Sequence, residues 1–566
     1  MKLACAVWLA AVALAQTPPE VKPAAVEGKV VSSLTGEPIR KAELTLTTSL
    51  MPDDAGVGFD LAALGDDFKL PEQPPKPKEP KKTYAATSDA SGKFRFEGVD
   101  AGAYYLKVKR AGFVEQTYKP AGALAPDGRL HLTAGQELAD IALRLVPQGA
   151  VSGKVVDEDG DPIGDAMVIA MKPSYASGHR SLFPGDGSQT NDRGEFRLGK
   201  LAPGRYYLVA QAVAPMNFMG GVPPPPKDGS PETGYVSTYF PRYLDVEEAE
   251  AIDVAAGADL PGFVIHLQKS RVVRVKGTAL GADGKPLKQA QVMLMAGANA
   301  GSMRMASTDA AGKFEIANVA PGVYTAMTMQ IFGASGGSPS ITMQTLVVPG
   351  EGLSDVNLGS VPEASLPGRV TVGDGGKVAL KGIVINLEGD GAQMMPLSAR
   401  ADDSGAFVLK KVAPASYDLK VIGVPAGAYV KSVLWNGREK LGEACDFSAG
   451  VGGDLQVILG TEGAAFDAKV TRDDKPVEDA AVVLLPEDAG HRNSETARSA
   501  STDGVGHVAF QDVRPGNYLV FAWEKIDYGD WFDPALLKAA ANSAVKVTIT
   551  ARDKQHVDLK AIPAAK

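Results

Sequence analysis

One phrase recurs along this chain, and its first copy reads SDASGKFRFEGVDAGAYYLKV over residues 88–108. Asp89 is followed three residues later by Gly92, a spacing that favours a tight turn in which the carboxylate accepts backbone N–H groups and the glycine adopts a positive φ. Phe94 and Phe96 then alternate with charged residues, which is the period-two pattern of a half-buried strand. The phrase therefore predicts a strand that follows a glycine turn, and then a second turn and strand.

The phrase returns further along the chain, and each copy follows an opening half that predicts another strand, turn and strand. The first opening reads VEGKVVSSLTGEPIRKAELTL over residues 26–46. The copies are spaced by roughly 90–125 residues, which exceeds the period of about 20–50 residues found in solenoids. Each copy can therefore own a core, as a small β-sandwich of about 100 residues. The later openings start near residues 151, 275, 366 and 466.

The combined pattern G-x-V…D-G-x-P-x-x-x-A-x-V…T-D-x-x-G-x-F…V-x-P-G-x-Y closely resembles the carboxypeptidase regulatory-like domain, a transthyretin-like (prealbumin-like) β-sandwich. The second and third copies match best, whereas copy four has Ala415-Ser416 in place of a glycine turn and copy five lacks the leading G-x-V. The resemblance implies a secreted bacterial protein with tandem domains of this fold, and it implies no activity. It covers residues 27–115, 151–212, 275–330, 366–423 and 466–524.

We therefore predict an all-β protein, a tandem array of about five small β-sandwich domains of the prealbumin-like or immunoglobulin-like kind. Asp533 and Pro534 fit the N-cap and the first position of one short helix near the C terminus, predicted over residues 534–541. The predicted organisation is a signal peptide at 1–15 and sandwiches at 25–148, 149–270, 271–361, 362–461 and 462–566, with an insertion at 51–83 in the first and a Pro-rich insertion at 214–234 in the second.

The N terminus, MKLACAVWLAAVALA, predicts a signal peptide that is cleaved near Ala15-Gln16. The apolar run from Leu3 to Leu14 is too short for a membrane-spanning helix, and no later segment is apolar enough for one. We expect an exported protein in the periplasm, on the outer surface or outside the cell. The formal net charge of −9 argues against nucleic acid as a partner.

Catalytic patterns are few, and each has a plainer interpretation. The six His residues lack the spacing of a zinc peptidase. Ser335 lies in a G-x-S-x-G match between two strand-like runs, not between the strand and helix that a nucleophile needs, so a hydrolase is only a remote alternative. Asp157, Asp159 and Asp161 lack the spacing of an EF-hand and predict a hairpin turn, with weak calcium binding left open. We expect no enzyme, no catalytic residue, no metal site and no cofactor.

Aromatic residues form the candidate ligand site. Tyr235, Tyr239, Phe240 and Tyr243 lie close together in the second unit, and Trp531 lies in the last. Exposed aromatic rings could stack on sugar rings or on peptide side chains. The alternative is that they cover the edge of a sandwich or hold the helix against it. Exposure on one face would favour glycan binding, and burial would favour a structural role.

Two functions follow from these patterns. The first is a non-catalytic, secreted or envelope-associated scaffold that binds a glycan or an extracellular protein, where the glycan rests on family analogy alone. The second is a structural or protein-docking spacer without a small ligand. For the fold, the repeated phrase predicts buried aromatic rings after the turn (Phe94, Phe196, Phe314 and Phe407) and exposed carboxylates that cap it (Asp89, Asp192, Asp309 and Asp402).

Overall fold

A computed structural model of the protein describes most of the chain. The described residues are 22–48, 82–118, 129–175, 178, 180–212, 226–227, 230–281, 284–296, 303–330, 340–359, 364–389, 397–412, 416–447 and 450–563. The predicted signal peptide, Ser335 and most of both predicted insertions lie outside these residues.

The first sandwich places two sheets around one core. The first sheet has the strand order β4-β1-β8, and the second has the order β3-β2-β5-β6 with β7 also paired to β5. Its strands are β1 (Ala24–Ser32), β2 (Glu43–Thr47), β3 (Thr83–Thr87), β4 (Lys93–Val99), β5 (Gly102–Lys109), β6 (Gln116–Thr117), β7 (Leu130–Leu132) and β8 (Glu137–Leu145).

Sandwiches 2 and 3 repeat this plan. Sandwich 2 contains β9 (Gly149–Val156), β10 (Ala166–Ser174), β11 (Ser181–Gln189), β12 (Glu195–Leu201), β13 (Gly204–Ala212), β14 (Thr233–Tyr235), β15 (Thr238–Tyr239), β16 (Ile252–Val254), β17 (Asp259–His266) and β18 (Lys269–Arg271). Sandwich 3 contains β19 (Val273–Ala279), β20 (Gln291–Ala296), β21 (Met303–Ser307), β22 (Lys313–Val319), β23 (Gly322–Gln330), β24 (Ser340–Val348) and β25 (Leu353–Leu358).

Sandwiches 4 and 5 complete the set. Sandwich 4 contains β26 (Ala364–Val372), β27 (Val384–Gly389), β28 (Leu397–Arg400), β29 (Ala406–Val412), β30 (Ser416–Ile422), β31 (Tyr429–Trp435), β32 (Arg438–Glu439), β33 (Cys445–Asp446) and β34 (Leu455–Gly460). Sandwich 5 contains β35 (Ala464–Arg472), β36 (Lys475–Pro476), β37 (Ala481–Pro486), β38 (Arg498–Ser501), β39 (His507–Val513), β40 (Gly516–Trp523), helix α1 (Pro534–Ala540), β41 (Val545–Ile549) and β42 (Lys554–Lys560). Short 3-10 helices span Ala489–His491, Asp530–Phe532 and Ala541–Ser543.

One topology recurs in all five sandwiches. The leading strand lies between an antiparallel neighbour, which follows the glycine turn, and a parallel neighbour, which is a late strand of the unit. The second strand pairs antiparallel with two partners in the facing sheet. This arrangement confirms the predicted all-β class, and α1, whose N-cap Asp533 accepts a hydrogen bond from the Ala535 N–H, confirms the predicted helix.

The leading glycine makes room for a bulge in the parallel strand. A Cβ atom on Gly277 would lie 2.0 Å from the carbonyl oxygen of Val356. Asp355, just before Val356, has φ 63° and shifts the register of the pair at this point. Sandwiches 1 and 2 repeat the contact, with Gly28 against Ile141 and Gly153 against Phe263. In sandwich 5 the parallel pair is regular and Ala468 takes the position, so a side chain fits there.

The turn of the repeated phrase forms as predicted, with one correction. The Asp89 carboxylate accepts hydrogen bonds from the N–H groups of Ser91 and Lys93 at 2.8 and 2.9 Å. In sandwich 2, however, the prediction of Asp192 is wrong, because the side-chain oxygen of Asn191 accepts the equivalent bonds from Arg193 and Glu195. The capping residue must lie three positions before the turn glycine, and Asn191 occupies that position. Asp309, Asp402 and Asp503 cap the other turns.

The aromatic residue after each turn is buried, as predicted. Phe94, Phe196, Phe314 and Phe407 expose only 4–5% of their surface. Each belongs to the core cluster of its own sandwich. The tyrosine of the second turn also has a fixed role, since the hydroxyls of Tyr104, Tyr206, Tyr324 and Tyr518 donate to the backbone carbonyl four residues earlier.

A buried hydroxyl joins the two halves of four sandwiches. In sandwich 3, the Thr308 Oγ1 accepts a hydrogen bond from the Ala290 N–H at 2.9 Å and donates to the Leu287 carbonyl at 2.7 Å. Ser88, Thr190 and Thr502 make the same pair of bonds in sandwiches 1, 2 and 5. Sandwich 4 has the buried Ala401 at this position. Because the same pair of bonds recurs in four sandwiches, we infer that the hydroxyl fixes the position at which the opening half of each unit meets its closing half.

Replacing Thr308 by Val should therefore destabilise sandwich 3. The substitution keeps the shape but leaves the Ala290 N–H and the Leu287 carbonyl unpaired in the core, at a cost on the order of 1–3 kcal/mol for each group. Thr308→Ser is the matched control, because it keeps the hydroxyl and loses one methyl group, worth about 0.8 kcal/mol. Urea unfolding measures both variants, and equal losses for Val and Ser would contradict the role of the hydroxyl.

The second sheet of sandwich 5 is buried on both faces. Val482 and Leu484 of β37 point into the sandwich core. Val483 and Leu485 point the other way, into a second cluster that includes Phe521 and is covered by α1. Burial on both faces explains why β37 is a continuous apolar run instead of an alternating one.

The chain divides into two compact units. Sandwich 1 lies in the first, which ends at Leu145, and sandwiches 2–5 lie in the second, which includes Val146–Lys566. Each sandwich has its own core cluster. The domain boundaries predicted from the sequence remain a proposal.

Candidate functional site

The predicted aromatic site in sandwich 2 is divided between two sets of packing contacts. Tyr239 is 1% exposed and packs with Met171, Leu182 and Val209 on the outer face of the second sheet. Its backbone pairs with Val209 of β13, so the segment that carries it forms an added strand, β15. Tyr243 is half-buried against the same cluster. These two rings cover the sheet.

Tyr235 and Phe240 pack against the main core instead. The Phe240 ring meets Phe263 edge to face, with the ring centroids 5.2 Å apart. The Tyr235 ring lies 4.8 Å from the ammonium of Lys269, a cation–π distance. The structure therefore does not gather the four predicted residues on one exposed face, and their burial favours the covering role.

Trp531 is also buried. It is 4% exposed and lies in the cluster beneath α1, with its ring 5.1 Å from that of Tyr528. The indole Nε1 is buried and has no hydrogen-bond partner among the described residues. The packing favours the interpretation that Trp531 attaches the helix to the sheet. Nothing in these contacts tests ligand binding itself, which stays a prediction.

Sandwich 5 contacts sandwich 2 through residues that are far apart in the sequence, and Lys172 and Asp527 are separated by 355 positions. The Lys172 ammonium lies 3.1 Å from the Asp527 carboxylate. Tyr175, which follows β10, packs against the cluster beneath α1. Burial, and then the nearby charge of Asp527, raises the pKa of Asp530 to about 6. The two sandwiches thus share both apolar and charged contacts.

Sandwich 5 also contacts sandwich 4. The Glu495 carboxylate accepts a hydrogen bond from the N–H of Val421, near the end of β30, at 3.2 Å. The Asp512 carboxylate accepts one from the Gly427 N–H at 2.9 Å. Gly442 lies so close to His491 that a Cβ atom would come within 2.9 Å of its backbone. Burial raises the pKa of Glu495 to about 7.

This junction predicts a pH dependence. Because the pKa of Glu495 is raised to about 7 on folding, its carboxyl contributes stability that is full below its ordinary pKa of 4.5 and is lost as the pH rises through about 7. The difference is on the order of 3 kcal/mol. Glu495→Gln keeps an acceptor for Val421 and cannot ionise, so its stability advantage over the wild type should grow between about pH 5 and pH 8. Urea unfolding across this range measures it, and an advantage that does not change with pH would contradict the prediction.

Among the residues that the structure describes, no group of three or more His, Cys, Asp or Glu side chains could hold a metal ion. Asp467 lies between His507 and His556 on the surface of sandwich 5, and its hydrogen bond raises the pKa of His556.

Burial raises the pKa of the Cys445 thiol to about 11, which keeps it protonated. The Asp157 carboxylate accepts the N–H groups of Asp159 and Asp161, as in a hairpin turn.

In the described part of the chain, no helix is both long and apolar enough to cross a membrane.

Comparison with protein families identifies part of sandwich 2. Residues 150–216 match the model of the carboxypeptidase regulatory-like domain. Sandwich 2 is similar to that domain. The resemblance inferred from the sequence is confirmed for these residues, which include the turn capped by Asn191 and the buried hydroxyl of Thr190. The other four sandwiches share the recurring strand topology of sandwich 2.

Several similar solved structures are bacterial pilins. The TIE protein of Bacillus anthracis is 12% identical, with 72% of each chain covered and a TM-score of 0.16. The minor pilin of Streptococcus agalactiae is 14% identical over 44% of this chain and 96% of its own, with a TM-score of 0.21. The major pilin subunit of Bacillus cereus is 11% identical over 73% and 99%, with a TM-score of 0.14. TM-scores this low carry no argument about function. No curated protein matches the chain.

Sequence reasoning missed the residues that join the sandwiches. No motif or periodicity in the sequence marks Glu495, Asp512 or Lys172 as a contact residue. The apolar run of β37 does not by itself mark the covered sheet, because β10 and β20 are also runs of apolar residues, yet their outward residues are less completely buried.

Proposed function

We propose that this protein is an exported, non-catalytic scaffold in which β-sandwiches hold surfaces for an extracellular or envelope partner. The observation that carries the proposal is the position of sandwich 5, which contacts both sandwich 2 and sandwich 4. Sandwiches 2, 4 and 5 are therefore joined by side-chain contacts as well as by the chain, although sandwich 2 does not adjoin the other two in the sequence. A packed body of this kind suits a protein that positions surfaces more than one that carries out chemistry.

The chemistry of the repeated residues supports the same proposal. The carboxylates of the turns are occupied by backbone N–H groups, and the buried hydroxyls by backbone groups of the core. Such residues are committed to the fold and are not poised for catalysis.

Export and the absence of catalysis are tested together on the secreted protein. We expect N-terminal sequencing to begin at Gln16, and a retained Leu3–Leu14 segment would contradict export by cleavage. A fluorophosphonate probe should label nothing. Stoichiometric labelling of Ser335 would show a hydrolase and would overturn the scaffold proposal.

Glycan binding is the second candidate, and one observation favours it. Tyr528 is 65% exposed and lies next to the buried Trp531 ring, so a large part of its side chain is accessible to a ligand. A glycan microarray with the mature protein tests this candidate, with Tyr528→Ala as the matched variant. Binding that is lost in the variant supports a glycan site, and an array without signal leaves the protein-docking scaffold.

A further inference from the structure

Sandwich 3 carries three Met-x-Met motifs, and each lies on a strand of its second sheet. They are Met293-Leu294-Met295 on β20, Met303-Arg304-Met305 on β21 and Met327-Thr328-Met329 on β23. Residues two apart in a strand point to the same face. Each motif therefore presents both thioethers on one side of the sheet.

The strand order brings the three motifs side by side. The order is β21-β20-β23-β24, so β20 lies between the other two motif-bearing strands. Met293 is directly opposite Met305 on one side and Met327 on the other, and Met295 is opposite Met303. Opposite residues have Cβ atoms about 4.5–5.5 Å apart. Because a Met side chain has three rotatable bonds, neighbouring sulfurs can converge on one point.

These six methionines lie on the outer face of the sheet, which we call the Met face (Met293, Met295, Met303, Met305, Met327 and Met329). The alternate residues Val292, Leu294, Tyr324 and Ala326 are buried in the core of the sandwich. Met303 is 47% exposed, and the other five are half-buried. The remaining outward positions of these three strands are Gln291, Ser307, Val323 and Thr325, so no cation competes with a bound metal ion there.

The outer face of this sheet is used differently in other sandwiches. In sandwich 2 it is covered by Tyr239 and includes Met171. In sandwich 4 the outer face is polar, with Lys420 and Glu388 in an ion pair at 2.6 Å. In sandwich 5 it is covered by α1 and consists of aliphatic and aromatic residues. Methionine is not among the residues that strands favour, whereas Val and Ile would serve a covered apolar face better. What methionine adds is a soft sulfur ligand.

We propose that the Met face binds Cu(I), or another soft monovalent cation, through its thioether sulfurs. Thioethers select Cu(I) among the metals available to proteins. The sulfurs carry no proton in the physiological range, so binding would release none and would not weaken in mild acid, unlike a site built from His or Cys. The proposal is independent of the scaffold function, since it concerns one sheet face and no partner protein.

The test uses Ag(I), a redox-inert soft cation, titrated into the full-length mature protein in chloride-free buffer. With methyl-labelled methionine, we expect the NMR signals of the Met face to shift while the signal of Met167 in sandwich 2 stays in place. The triple variant Met293→Leu, Met305→Leu and Met327→Leu keeps volume and apolar surface and should bind at least ten-fold more weakly, whereas Met167→Leu should bind like the wild type. Affinity should be equal at about pH 5.5 and pH 7.5.

Three results would overturn the proposal. The first is that Ag(I) shifts no signal of the Met face, a measurement on the wild type that does not depend on the variant folding. The second is that the triple Leu variant binds Ag(I) as tightly as the wild type. The third is that both proteins bind an apolar dye equally and neither binds Ag(I), which would show that the face docks an apolar partner instead.

Discussion

Truncating Phe314 to Ala is expected to destabilise sandwich 3 by about 3–5 kcal/mol, through lost transfer free energy and the cavity that remains. The ring is 5% exposed and lies in a core with Val275, Val292 and Ile316. A domain of this size has a total stability of only about 5–15 kcal/mol, so the variant should lose most of the stability of this sandwich. Calorimetry should show the loss of one transition, with the others retained.

Phe183→Ala is the matched control for this variant. Phe183 is 57% exposed on β11, so the same truncation should cost far less there. Retention of the sandwich 3 transition in Phe314→Ala would contradict a separate core. Cooperative loss of all transitions would show that the sandwiches unfold as one array.

Truncating Trp531 to Ala is expected to cost about 3–5 kcal/mol as well, but in a different place. The residue fills the cluster between α1 and the outer face of β37 and β40, where Phe521 and Trp523 stack with their centroids 5.0 Å apart. Its loss should release α1 from the sheet and expose that face. Hydrogen exchange should accelerate in α1, and the free energy of unfolding of sandwich 5 should fall.

Tyr528→Ala separates this effect from the loss of any aromatic residue. Tyr528 touches the Trp531 ring but is 65% exposed, so its truncation should leave α1 protected. If α1 stays protected from hydrogen exchange in both variants, Trp531 does not hold the helix. If α1 loses protection equally in both variants, the burial of Trp531 is not what attaches the helix to the sheet.

The local pattern of the fold could be predicted from the sequence because its forces are local. A carboxylate that accepts N–H groups two and four residues on, as Asp89 does, needs only its own turn. Alternation places Phe94 and Phe96 in the core without reference to any distant residue. The error at Asp192 has the same origin, since two polar residues in succession fit the pattern and only the count back from Gly194 distinguishes Asn191.

The long-range contacts could not be predicted, because nothing in a short stretch encodes them. Lys172 and Asp527 lie in different sandwiches, and either could have been a solvated surface charge. The aromatic residues were ambiguous for a similar reason. Tyr239 and Tyr235 have nearly the same surroundings in the sequence, yet β15 turns one toward the outer cluster while the other packs against the main core.

The central claim is that sandwich 5 holds sandwiches 2 and 4 in one packed scaffold, and native-state hydrogen exchange of Phe466→Ala tests it most directly. Phe466 is 1% exposed in the core of sandwich 5, so the variant should destabilise that sandwich. The claim predicts that protection also falls in β10 and β30, which contact sandwich 5 through Lys172 and Val421, while β1 of the first unit keeps its protection. Unchanged protection of β10 and β30 would show that the sandwiches are independent and would contradict the packed scaffold.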